Sequence, residues 1–344
     1  MDFLPCDSGG GGAHEVRDGG GPLHRFAVPL PRTGFGGGKS REMTDTPHHT
    51  TPISERLCPL HIDSWTGPFP EDQRAKAVDA LEHGKVLVLP HLAFPFRDDE
   101  KDLFTPTLSN GKSKNVSLKS SGELGGTVAT GDVAKRLAGM IERFASTATR
   151  FLEELIPHYA GHLERAPTSY RPVEIKGRPA SVIKDDTRLH VDAFPSRPMR
   201  GRRIMRLFTN VNPKGQPRIW HVGEPFEDMA KKLGDRANEG SRLQARALST
   251  LGITKGERSA YDSLMLGLHD GAKRDEVYQK TSPQIEVPFP SGATWICYTD
   301  QVMHAALAGQ YVLEQTFHLD VAAMARPELS PLKVLERLRG RALV

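Results

Sequence analysis

Cysteine is scarce. Cys6, Cys58 and Cys297 are the only three in 344 residues, and no two form a Cys-x-x-Cys pair. That argues against a disulfide framework and against a paired-thiolate metal site, and it fits a reducing compartment. Cys297, inside the apolar run Trp295-Ile296-Cys297-Tyr298, reads as a small buried hydrophobe. Long apolar runs are also missing. No stretch of about 20 apolar residues occurs, so no membrane-spanning helix is expected. Nor is there a compact basic and apolar leader of the secretory kind. Neither charge sign dominates, since 46 Lys and Arg stand against 42 Asp and Glu for a formal +4. An excess this mild names no partner, and nucleic acid is not expected.

Residues 1–42 have little that could fold. They are broken by Gly9-Gly10-Gly11-Gly12, Gly19-Gly20-Gly21 and Gly36-Gly37-Gly38, and cannot bury enough apolar surface to offset their ordering entropy. They are expected to be a disordered extension, with Met43 as the natural start. Residues 43–344 are expected to form a single domain. A helix is predicted over 71–83, stopped by Gly84, followed by a short buried strand over 85–90. Residues 98–130 read as a polar surface region. Val133, Leu137, Met140, Ile141, Phe144, Ala148, Phe151 and Leu152 recur at helical spacing and predict a helix from Gly131 to about Leu155. Residues 178–183 are compatible with a strand, and 204–212 form a clearer one. A charge-mixed helical insertion is expected over about 225–280. Strands then follow over 284–290 and 292–298, with a last one over 309–319. A short basic helix over 330–344, with Leu332, Leu335 and Leu338 on one side, reads as docked on the core, with weak membrane-surface contact as the minority alternative.

The chemistry gathers around Arg188-Leu189-His190-Val191-Asp192. On a strand, residues two apart point the same way, so His190 and Asp192 can share one metal while Val191 packs behind them. With a remote histidine this makes a 2-His-1-carboxylate triad, a donor set suited to Fe(II) that leaves coordination positions open. His304 is the expected third ligand, because a strand and a short polar turn precede it and a glycine turn and a long strand follow. His269 and His318 are rivals. His318, deep in the last strand, reads as packed or substrate-facing.

Iron oxygenases with this triad use 2-oxoglutarate, whose far carboxylate needs a fixed cation, and arginine is the bidentate choice. That cation often follows the distal histidine by about ten residues, near Gln315, but residues 305–325 contain no Lys or Arg. An arginine in an otherwise apolar strand needs an anionic partner. Arg206, in Ile204-Met205-Arg206-Leu207-Phe208, is therefore assigned to the cosubstrate, with Asn210 on the same strand face and Gln315 grouped beside it.

The segments His190-Val191-Asp192-Ala193-Phe194-Pro195-Ser196-Arg197-Pro198 and residues 201–213, with Trp295 to His304 and Glu314-Gln315-Thr316-Phe317, resemble the Kdo hydroxylases. The likeness spans roughly residues 55–330. It implies an α+β fold with a double-stranded β-helix, jelly-roll or cupin-like, braced by helices and with the helical insertion between its metal-binding strands. It implies an Fe(II)- and 2-oxoglutarate-dependent dioxygenase, with ascorbate a candidate reductant. The implied substrate is 3-deoxy-D-manno-oct-2-ulosonic acid (Kdo) of Kdo2-lipid A, oxidised with O2 at C3 to Ko. That reaction takes place in the cytoplasm, at the cytoplasmic face of the inner membrane of a Gram-negative bacterium. His190, Asp192 and His304 would be the iron ligands. Because such a substrate is anionic, Arg197, Arg200 and Arg202 are candidate substrate contacts, and Trp220 is either packing or a sugar platform. The alternatives are hydroxylation of another small molecule or a protein side chain, or a cupin-like sugar isomerase or binding protein on the same scaffold.

Overall fold

The computed structural model describes residues 53–344, apart from Ser120 and Asn238. The expectations for residues 1–42 and for a start at Met43 lie outside the described residues. The strands are β1 (Leu57–Pro59), β2 (Val86–Leu89), β3 (Val116–Leu118), β4 (Leu124–Gly125), β5 (Glu164–Arg171) and β6 (Arg203–Asn210). They continue with β7 (Arg218–Gly223), β8 (Gln284–Phe289), β9 (Thr294–Tyr298), β10 (His304–Ala308) and β11 (Val312–Leu319). The helices are α1 (Ile53–Arg56), α2 (Glu71–Glu82), α3 (Gly131–Leu155), α4 (Phe226–Leu233), α5 (Arg242–Thr250), α6 (Ala260–Arg274), α7 (Glu276–Thr281) and α8 (Pro331–Arg339).

The fold is mixed α/β. Eight strands form one sheet in the order β1-β2-β9-β6-β11-β5-β3-β4, and three form a second in the order β10-β7-β8. Only the β1–β2 pair is parallel. Strand periodicity explains what the large sheet does with its two faces. Met205, Leu207, Ile296, Tyr298, Leu313 and Phe317 enter a core with α2 and α3. Their neighbours Phe208, Trp295, Cys297 and Val312 point the other way, into a core shared with Trp220, Val287 and Phe289 of the small sheet. Cys297 is thus a buried core residue, as its apolar setting suggests. The α3 stripe is fully sequestered from Leu137 to Leu155, and each such Leu or Phe stabilises the fold by about 1.5–3 kcal/mol.

A third core holds the helical insertion. α4 and α6, joined by α8, pack on Leu189, Val191, Met303 and Ala305. The insertion therefore buttresses, from behind, both β10, which starts at His304, and the extended segment around His190, which forms no strand of its own. α8 buries Leu332, Val334 and Leu335, so it docks on the core as expected, but Leu338, expected on the same side, is exposed. Two expectations differ. Residues 178–183 form no strand, only a turn of 3-10 helix at Val182–Lys184, because Pro179 lacks the N–H a ladder needs. Residues 98–130 are more than a polar surface, since they supply β3 and β4 at the edge of the large sheet.

Candidate metal centre and its cavity

His190 and His304 face each other as an antiparallel bridge rather than inside a long ladder. The His190 N–H donates to the His304 carbonyl at 3.0 Å and the His304 N–H returns the bond at 2.9 Å. Asp192 is fixed by its own N–H, which donates to the Thr299 carbonyl at 2.8 Å. One ligand atom each from His190, Asp192 and His304 lie within 4.8 Å of one another, and among the described residues no other group of three or more His, Cys, Asp or Glu is disposed to hold a metal. His269 is close, its ring 5.4 Å from that of His190, but it pairs with Asp270 at 2.8 Å and is not one of the three.

The surroundings set these groups up as ligands. His190 Nδ1 lies 2.7 Å from the Arg188 carbonyl, and His304 Nδ1 lies 2.8 Å from the Val302 carbonyl. Each Nδ1–H is therefore the donor, which leaves the Nε2 lone pair for a metal. Burial, above all, depresses the basicity of both imidazoles, so they stay neutral. Burial disfavours the Asp192 carboxylate, but the Arg206 guanidinium beside it outweighs this and holds the group well below the usual carboxylate range. Two neutral imidazoles and one carboxylate fit a divalent iron with open positions. Trp220 stacks on His304 at 5.2 Å and 24°, fixing the ring plane.

The cavity at the triad is lined by Arg171, Asp186, Arg206, Phe208, Arg218 and Trp220 besides the three ligands. Its arginines are not equivalent. Arg206 pairs with Asp192 at 2.9 Å and with Glu314 at 2.8 Å. Arg171 Nε donates to Glu314 at 2.8 Å. Arg218 is 2% exposed, donates to the Gly309 carbonyl at 2.5 Å, and makes no ion pair among the described residues. Its Nε has no partner. Burial, with Arg171 adding to it, pushes the Arg218 guanidinium down to about 9, so it is still charged at neutral pH. Gly309, at φ +104°, permits the close approach, because a Cβ there would stand 3.0 Å from Arg218 Cα.

The other residues expected at the site fall elsewhere. Asn210 spends its amide on the Gln216 and Phe289 carbonyls at 2.9 and 3.0 Å. Gln315 turns to the opposite side of β11, accepting from Thr168 at 2.6 Å and donating to the Ala166 carbonyl at 3.1 Å. Neither lines the cavity. Arg202 is engaged by Glu164 at 2.8 Å and Asp320 at 3.0 Å, and Arg200 lines a different cleft with Glu239 and Arg258. Trp220, 2% exposed, belongs to the metal cavity and not to an open sugar platform. Arg197 stays exposed at the mouth of a neighbouring cleft. Arg218 went unnoticed in sequence, although it too is an arginine opening an apolar strand.

A family model for 3-deoxy-D-manno-oct-2-ulosonic acid (Kdo) hydroxylase matches residues 64–342. This chain belongs to the Kdo hydroxylase family. Among solved structures it is similar to the Kdo hydroxylase KdoO, described as a non-heme Fe(II) alphaketoglutarate dependent dioxygenase, in complex with alphaketoglutarate and Fe(III). The TM-score is 0.81 and the identity 45%, over 84% of this chain and 97% of that one. The apo form of KdoO gives the same values, and its complex with succinate and Fe(III) gives a TM-score of 0.80 at 45% identity over the same shares of the two chains. A search of curated proteins finds no match.

Proposed function

We infer that this Kdo hydroxylase family member uses Fe(II) and 2-oxoglutarate to hydroxylate Kdo at C3 in Kdo2-lipid A, giving Ko. The observation that carries the reading is the buried Arg218, without a carboxylate partner, in the same cavity as His190, Asp192 and His304. A buried cation left unpaired is costly, and a dicarboxylate reaching from the metal would neutralise it. His190, Asp192 and His304 would hold the iron, and Arg218 the far carboxylate of 2-oxoglutarate. Arg206 would position Asp192, while Trp220 and Phe208 keep water from the cosubstrate. Iron with 2-oxoglutarate supplies oxidation of a C–H bond by O2, with overall release of succinate and CO2 as one oxygen enters the sugar. The two sheets facing each other across an aromatic core support a double-stranded β-helix, with residues 226–281 as its insertion and one catalytic domain over the described chain.

Incubation with Fe(II), 2-oxoglutarate and Kdo2-lipid A should add one oxygen to the lipid and release succinate. An unmodified lipid, with metal and cosubstrate shown to be bound, refutes the reading.

A lipid-anchored substrate calls for a surface that meets the bilayer. No helix among the described residues is long and apolar enough to cross a membrane. On α5 and its C-terminal cap, Leu243, Ala247 and Leu251 recur at i, i+4 and i+8 and face solvent, with Leu243 78% and Leu251 72% exposed. Ile253 extends this apolar stripe, and Arg246 and Lys255 flank it. Lys255 N–H donates to the Ser196 carbonyl at 2.8 Å, tying the stripe to the loop that leaves Asp192. This pattern suits an interfacial helix on an anionic bilayer, and better than α8, which buries Leu332 and Leu335 and leaves only Leu338 exposed. Leu243→Asp with Leu251→Asp should abolish sedimentation with vesicles containing anionic phospholipid; sedimentation equal to the parent's would remove α5 from the contact.

A further inference from the structure

The inner face of β11 continues past the metal. Glu314, Thr316 and His318 alternate there and line a second cleft, with Asn115 and Arg197 on other walls. Arg206 borders both cavities, whereas Arg218 and Trp220 line only the metal cavity. The cleft therefore adjoins the metal cavity across Arg206, away from the residues assigned to the cosubstrate.

Two polar atoms in this cleft lack partners, His318 Nε2 and Asn115 Oδ1. His318 is only 3% exposed, and its Nδ1 stands 3.9 Å from the Glu164 carboxylate, beyond hydrogen-bond reach. Sealing an imidazole nitrogen from water with nothing to bond is unfavourable, and an apolar residue would fill the position better. Burial, then Arg202, push the His318 imidazole down to about 4, so near neutrality it offers hydrogen bonds and no charge. A neutral ring and an amide oxygen suit hydroxyl groups. Arg197, exposed on the rim and without an ion pair among the described residues, suits a carboxylate.

We propose that this cleft is the sugar-acid subsite, in which His318 Nε2 and Asn115 Oδ1 hydrogen-bond hydroxyls of Kdo and Arg197 pairs with its carboxylate. The proposal rests on the reading of the chain as a Kdo hydroxylase. It makes His318 a positioning residue that selects a polyhydroxy acid, since a substrate lacking the hydroxyls leaves both buried atoms unpaired.

The test measures KM for Kdo2-lipid A and, in anaerobic Co(II)-loaded protein, the Kd of 2-oxoglutarate. His318→Leu and Arg197→Met should each raise KM about tenfold or more, with the 2-oxoglutarate Kd changed less than about twofold. His318→Gln, which keeps a donor and an acceptor, should recover part of the loss. Asn115→Ala and Arg197→Met, which leave the packed strand alone, carry the same test if His318→Leu does not fold. If the parent protein hydroxylates the lipid and the variants keep its KM, the subsite is wrong. If the parent leaves the lipid untouched, the functional reading fails, and the subsite with it.

Discussion

Replacing Arg218 by leucine isolates the proposed cosubstrate anchor from everything else in the cavity. The guanidinium is buried, has one carbonyl partner in Gly309, and makes no ion pair among the described residues. In the free protein its removal gives up one hydrogen bond, worth about 1 kcal/mol, and also relieves the desolvation of an unpaired cation. The apo protein should therefore unfold at a urea midpoint equal to the parent's or slightly higher. Binding is where the loss falls. Two charge-assisted hydrogen bonds to a buried carboxylate contribute about 1.5–3 kcal/mol each, and truncating one side of such a pair costs about 2–5 kcal/mol. A loss of about 3 kcal/mol corresponds to a Kd for 2-oxoglutarate raised roughly 150-fold. Anaerobic calorimetry with Co(II) in place of iron measures this directly, and Co(II) affinity itself should hold, because Arg218 touches no ligand. A 2-oxoglutarate Kd within threefold of the parent's would refute the assignment. A large fall in apo stability would show that the guanidinium has a structural partner instead.

Two further outcomes separate the neighbouring groups. Arg206→Leu leaves Asp192 and Glu314 without their shared cation at 2.9 and 2.8 Å, so stability should fall by about 3–5 kcal/mol and metal affinity should weaken; urea unfolding and Co(II) titration check it, and weakened 2-oxoglutarate binding alone would argue against this role. His318 makes acid sensitivity local. Its basicity is depressed to about 4 by burial and then by Arg202, with Arg197 and Arg206 adding to the effect and Glu164 opposing it. The unfolded chain therefore takes up that proton first. Stability should fall as pH drops from about 6.5 to about 4, by at most about 3 kcal/mol from this group. His318→Leu should flatten that part of the urea-midpoint profile, and an unchanged slope would contradict it.

Much of the frame is legible from residue order. The α3 stripe repeats at helical spacing and is buried as that spacing predicts. His190, Val191 and Asp192 divide by period two, with Val191 turned into the insertion core and its neighbours toward the metal cavity. The apolar strand and polar turn before His304 deliver it to His190. These features follow from local geometry, so a single strand or helix states them. Partner choice among charges does not. Arg206 and Arg218 look alike in sequence, each an arginine in an apolar strand, but β6 belongs to the large sheet and β7 to the small one. Only the packing of the sheets decides that Glu314 and Asp192 take Arg206 and leave Arg218 without an ion pair among the described residues. The parity of β11 was equally hidden. Glu314 faces Arg206 and Arg171 and Gln315 the opposite side, yet the whole strand is buried. A strand covered on both faces carries no polar alternation to announce which side is inward. The sequence by itself thus picked out the three residues that converge as a candidate metal site, His190, Asp192 and His304. Tertiary structure decided which cation is free and which side of the metal holds unpaired polar groups, because both depend on what meets across the two sheets.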